Sequence, residues 1–112
     1  MVDIQIHNSK WSSNMNRTEY LLWLLAEECA EVSQRASKAA RFGLGEIQTD
    51  QPLTNAERIV LEINDLYAVI ELLVDSELIP LPGETAALDA KKAKIQKFLL
   101  YSEQLGTLIK NV

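Results

Sequence analysis

The sequence predicts an all-α fold, an antiparallel helical hairpin followed by a third helix. Three observations predict it. Apolar residues recur every three or four positions through three long segments. The four glycines and three prolines all fall outside those segments. The segments open or close on residue types that start and stop helices.

Residues 1–16 form a polar, irregular N-terminal arm, with Trp11 as the residue expected to pin it to the body. The first helix spans 17–42, beginning near Asn16 to Thr18. Its apolar stripe runs Leu21, Leu24, Leu25, Val32, Ala36 and Ala39, and Gly43 follows as a C-terminal stop. Over the second half the stripe becomes small (Ala36, Ala39, Ala40), which allows close approach of another helix or a ligand. Residues 43–53 form a loop with two glycines and a proline, of a length that is often functional or mobile. Thr54-Asn-Ala-Glu57 then reads as a capping box. The second helix spans 55–76 and carries Ile59, Ile63, Leu66, Val69, Ile70 and Leu73. Pro80-Leu-Pro82-Gly83 breaks the chain again. The third helix spans 85–104, with Leu88, Ile95, Phe98, Leu99 and Tyr101 as its larger apolar groups. Gly106 ends it, and Leu108 and Ile109 are placed to dock a short tail.

A chain of 112 residues suits one domain, 1–112, with a modest core. Apolar surface left over on so small a hairpin predicts a helical-bundle homodimer or homotetramer. The net charge of -5 disfavours nonspecific nucleic-acid binding, since the only basic run is Lys91, Lys92, Lys94 and Lys97. That run reads first as a solvated face. Cys29 is the sole cysteine, which excludes an intrachain disulfide and points to a reducing, cytoplasmic compartment. It has no histidine partner within reach in the sequence and reads as a small packing residue. No signal-peptide pattern precedes the Asn16-Arg17-Thr18 sequon, which reads as a chance match. No apolar run is long enough to span a membrane. With His7 the sole histidine, a di-iron bundle built on Glu-x-x-His from two helices is excluded.

Chemistry concentrates in two acid pairs, Glu28-Cys-Ala-Glu31 and Glu62-Ile-Asn-Asp65. The i, i+3 spacing puts both acids of a pair on one helix face. In both cases that face is the apolar one: Glu28 follows Leu21, Leu24 and Leu25, and Glu62 and Asp65 sit among Ile59, Ile63, Leu66 and Val69. Four acids turned toward a core repel one another and lose hydration, a costly arrangement unless a cation lies between them. The bland alternative is four solvated helix residues. Two pairs on the apolar stripes of consecutive helices favour a carboxylate-bound hard cation such as Mg²⁺. Glu27 is rotated by about 100° from Glu28 and points elsewhere.

Arg35 and Lys38 continue the acid stripe of the first helix, and Arg41 lies near its end. Such groups suit the outer phosphates of a polyphosphate, or equally the negative end of a helix. Trp23, Phe42, Tyr67 and Tyr101 could stack on a nucleobase, but in helical patterns they read first as core packing.

The stretches Glu27-Glu-Cys-Ala-Glu-Val32 and Glu62-Ile-Asn-Asp-Leu-Tyr67 resemble the all-α nucleoside triphosphate pyrophosphohydrolases, whose signature is ExxE on one helix and ExxD on the next. Ser37-Lys-Ala-Ala-Arg-Phe-Gly43, Lys94-Ile-Gln-Lys-Phe98 and Tyr101-Ser-Glu-Gln-Leu-Gly106 resemble the small, phage-type MazG-like members. The resemblance covers most of residues 18–106. It implies Mg²⁺-dependent hydrolysis of a nucleoside triphosphate to monophosphate and pyrophosphate, with Mn²⁺ as a possible substitute ion. It implies Glu28, Glu31, Glu62 and Asp65 as metal ligands and catalytic residues, Glu28 also helping to deprotonate water. Lys38, Arg41 and Lys94 are its implied phosphate contacts. The 30 residues between Glu31 and Glu62 make a longer interval than is usual in that family, and the 43–53 loop absorbs it. A second reading, from another class, is a non-catalytic helical oligomerisation or regulatory module whose acids serve as salt-bridge partners.

Overall fold

The computed structural model describes residues 14–110, so Trp11, His7 and most of the N-terminal arm lie outside the described residues. The described chain is all-helical: α1 (Arg17–Phe42), α2 (Asn55–Asp75) and α3 (Thr85–Leu105). It divides into two compact units at Ile79/Pro80, the first holding α1 and α2, the second α3.

Both helices of the first unit begin on reciprocal caps. The Asn16 side chain accepts from the Glu19 amide at 2.8 Å, and the Asn16 amide donates back to the Glu19 carboxylate at 3.2 Å. Thr54 and Glu57 repeat the exchange at the start of α2, at 3.1 and 2.9 Å. Two first-turn donors of each helix are thereby satisfied, and an acid is placed at the positive end of the dipole. Gly43 closes α1 with φ 100°, in the region that favours glycine, and its amide donates to Ala39.

α1 and α2 pack antiparallel. Leu21, near the start of α1, is buried with Val69 and Leu73, near the end of α2, and Leu24, Leu25 and Ile79 pack around them. At the other end, the side chain of Asn55 at the start of α2 donates to the carbonyl of Gly43. The core therefore lies toward the open end of the hairpin. Its middle, one to two turns further along α1, is where the acids fall.

The 43–54 loop is stitched to the start of α2. The amides of Asn55 and Ala56 donate to the carbonyls of Glu46 and Leu44, each at 3.0 Å, and Ile47 forms an isolated antiparallel bridge with Thr54. Arg58 donates to the Gln48 side chain at 2.7 Å. The loop thus supplies acceptors for the first-turn amides of α2.

In the second unit, none of the residues of α3 is buried. Leu88, Ile95, Phe98, Leu99, Leu100, Tyr101 and Leu105 are all exposed. Gly106 ends the helix at φ 83°, and the following turn returns two amides, of Thr107 and Leu108, to the Ser102 carbonyl. In the tail, Leu108 is half-buried and Ile109 exposed. None of the described helices is long and apolar enough to cross a membrane.

Candidate metal centre

The inner face of α1 can be followed by its partly and fully buried residues: Leu21, Leu24, Leu25, Glu28, Glu31, Val32, Arg35, Lys38 and Ala39. On α2 the corresponding line is Ile59, Glu62, Ile63, Leu66, Val69, Ile70 and Leu73. Two acids of α1 and one of α2 therefore share the packed face of the hairpin. Asp65 is exposed at its edge, one turn beyond Glu62.

Packing the helices antiparallel brings Glu28 to Glu62 and Asp65. One carboxylate oxygen from each of these three side chains lies within 4.8 Å of the other two. Six-coordinate Mg²⁺, bound at about 2.1 Å, spaces neighbouring donor oxygens by about 3.0 Å and opposite ones by about 4.2 Å. The observed span of the three oxygens is close to what one such ion would need, and the donor set is all oxygen, as a hard cation prefers. Glu31 is half-buried one turn further along α1 and stands outside this closest group.

The cluster has an electrostatic signature. The carboxyl of Glu28 is pushed above its ordinary range, first by desolvation and then by the negative charges of Asp65, Glu27, Glu62 and Glu31. Every contributor acts in the same direction, so nothing among them stabilises the ionised form of Glu28. A divalent cation would supply that stabilisation.

One internal cation does approach. Arg35 lies two turns beyond Glu28, and its Nε is 3.6 Å from Oε2 of Glu62. The sequence places Arg35 on the acid stripe but gives no sign that it reaches across to α2. Its position on the inner face also corrects the apolar stripe. Ala36 is exposed while Arg35 is half-buried, because seven residues from Glu28 return almost to the same side of the helix and eight overshoot by nearly a residue's turn.

The remaining expected contacts lie on α1 and α3. Lys38 is half-buried on α1. Arg41 is exposed, with its guanidinium carbon 5.0 Å from the centre of the Phe42 ring, a cation–π contact. Lys94 belongs to the second unit, where it borders a shallow groove of about 260 Å³ with Lys91, Ile95, Phe98, Leu99 and Ser102. The four aromatics read as core packing, Trp23, Phe42, Tyr67 and Tyr101, are instead exposed. Cys29 is exposed as well, on the side of α1 turned away from the inner line, and is not a packing residue.

Compared with known proteins, the chain matches no family model, no curated protein and no solved structure.

Proposed function

We propose that this protein is a MazG-like nucleoside triphosphate pyrophosphohydrolase of the all-α type, which cleaves its substrate to nucleoside monophosphate and pyrophosphate with Mg²⁺ in a cytoplasmic setting. The observation that carries the reading is the convergence of Glu28, Glu62 and Asp65 from two helices to within 4.8 Å. Acids that gather on the packed face of a hairpin, with desolvation and mutual repulsion raising the pKa of Glu28, suit a cation far better than a plain core.

Glu28, Glu62 and Asp65 would hold the ion, with Glu31 a turn away on the same helix as the fourth ligand of the ExxE–ExxD pattern. When bound, Mg²⁺ neutralises the polyphosphate, polarises phosphorus and makes water a usable nucleophile. The protein's own contributions follow from placement. The helix pair fixes the acids on rigid elements. On the resemblance, Glu28 is the carboxylate that would help to accept the proton of the attacking water. Lys38 and Arg41, further along α1, are the candidate phosphate contacts on the hairpin; Lys94, in the second unit, is a candidate on the resemblance alone.

The assembly belongs to the same reading. Trp23, Tyr67 and Leu81 are more than half exposed, as are Leu100, Tyr101 and Leu105 near the end of α3. So much large apolar surface on a short chain favours a homodimer or homotetramer. Sedimentation velocity should then give a species heavier than one chain, and a purely monomeric profile would remove this part of the proposal.

The decisive experiment is a pyrophosphate-release assay over a panel of canonical and modified nucleoside triphosphates, with and without Mg²⁺. Mg²⁺-dependent release that Glu62→Gln or Asp65→Asn abolishes, with helical content intact, supports the reading. Robust turnover by either variant refutes the assigned metal role.

A second reading has one specific observation in its favour. The ion pair between Arg35 and Glu62 is what a non-catalytic helical module would use its acids for. Calorimetry in which the protein takes up neither Mg²⁺ nor Mn²⁺ would select that module over the enzyme.

A further inference from the structure

Glu62 has two claims on it. It is one of three carboxylates grouped closely enough to share a cation, and it is the partner of Arg35. The Arg35 contact is long. At 3.6 Å it is an ion pair without hydrogen-bond length, and it is formed by side chains only 17% and 18% exposed. Nε and Nη1 of Arg35 are enclosed, yet neither donates a hydrogen bond to any of the described residues. A guanidinium carries five N–H donors and keeps its charge at any working pH, so leaving the three on these two enclosed nitrogens unmatched is costly. An arginine serving only to brace the helices would be expected to saturate these donors, in the bidentate manner that its fork allows.

Position explains why the arginine stays. Arg35 lies on the same face of α1 as Glu28, two turns along, and extends toward the carboxylate of α2 that sits between it and the rest of the cluster. Among the described residues it is the cation that pairs with a member of this group of acids, whose charges otherwise add up against the ionised form of Glu28.

We infer that Arg35 is the resident counter-ion of the acid cluster in its metal-free state, and that a divalent cation displaces it from Glu62. The inference rests on the metal site proposed above and adds a competition to it. Without the ion, the guanidinium offsets part of the repulsion among Glu28, Glu62 and Asp65 and holds the hairpin middle together. With the ion, Glu62 turns to the metal. Arg35 acts through Glu62 and is a positioning residue, not a catalytic one.

The competition has a sign that a structural role would not produce. Removing the charge while keeping the bulk, as in Arg35→Met, should lower the melting temperature in EDTA. The same change should tighten Mg²⁺ binding, measured calorimetrically with the metal alone, by about threefold to tenfold, the range expected for losing one modest ion pair as competitor. Arg35→Lys, which retains the charge, should return the affinity toward the wild-type value. Arg35→Gln gives the same reading as the Met variant and guards against a folding defect peculiar to it. Clear uptake by the wild type with equal or weaker uptake by both neutral variants overturns the displacement and leaves the metal site standing. Absence of uptake by the wild type and both variants overturns the metal site itself, and the displacement with it.

Discussion

Asn55 and Gly43 close the hairpin on each other: the Nδ2 amide of Asn55, the first residue of α2, donates to the carbonyl of Gly43, the residue that ends α1, at 2.8 Å. The same amide group donates to the Glu46 carboxylate at 2.9 Å, and Asn55 is only 2% exposed. An asparagine here is a two-pronged donor between two acceptors. Asn55→Asp replaces it with an acceptor facing a carbonyl and a carboxylate, all partly out of water. The expected loss of stability is at least about 2 kcal/mol, the cost of unsatisfied buried polar groups. Urea unfolding measures it, and a variant within about 0.5 kcal/mol of wild type would show that the clasp carries no weight.

The clasp also shows where the sequence stops being informative. The helices are legible because local signals agree: a 3.6-residue apolar period, the Asn16–Glu19 and Thr54–Glu57 boxes, and Gly43 and Gly106 at the ends. The acid pairs are legible as pairs, because i, i+3 spacing on an apolar stripe is a local property. What is not local is not legible. The loop at 43–53 reads from its length as functional or mobile, but its order comes from Asn55 and the first-turn amides of α2, which meet it only once the hairpin is folded. Arg35 likewise reads as one more charge beyond Glu31 until the crossing of the helices puts Glu62 beside it. For α3 the pattern names apolar residues without saying what covers them. Its large apolar groups lie on several sides of the helix, so periodicity defines no single face there.

The hairpin's stability should depend most on one side chain. Leu73 is fully enclosed and meets Leu21 and Val69 at the centre of a small core. Leu73→Ala leaves a cavity that so few neighbours cannot refill, with an expected loss of roughly 2–5 kcal/mol. Leu88→Ala on α3, at a half-exposed position, should cost well under half as much. Thermal or urea unfolding of the two variants side by side tests the contrast, and equal losses would place the core elsewhere.

Asp65 should separate metal binding from folding. It is exposed, it belongs to the three-acid group, and after desolvation it is the foremost contributor to the raised pKa of Glu28. Asp65→Asn keeps the shape and removes one charge. In EDTA the variant should be as stable as wild type or more stable, because a repulsion has gone. Its Mg²⁺ affinity should fall by at least about tenfold, in line with the loss of a charged ligand from an all-oxygen site. Calorimetric titration and melting in EDTA give the two numbers. Lower metal-free stability together with unchanged affinity would reverse the assignment of Asp65 from ligand to brace.

Acid should act on the metal-free protein in two opposed ways. Glu28 has a raised pKa in the folded chain, owing first to desolvation and then to Asp65, Glu27, Glu62 and Glu31. The folded state therefore holds that proton more tightly than the unfolded one. Its contribution to stability is greatest below the ordinary carboxylate value of 4.5 and is lost as pH rises through the raised value. Glu57 runs the other way. Hydrogen bonds from the Thr54 backbone and side chain lower its pKa, so it stabilises the fold above the ordinary range and ceases to do so as pH falls through the lowered value. Unfolding midpoints in EDTA from acid to neutral pH should show the first effect as a decline with rising pH that Glu28→Gln flattens and saturating Mg²⁺ suppresses. The second should appear as an acid-side loss that Glu57→Gln removes. Should Glu28→Gln keep the full wild-type decline, the protonation of Glu28 is not what couples the acid cluster to folding.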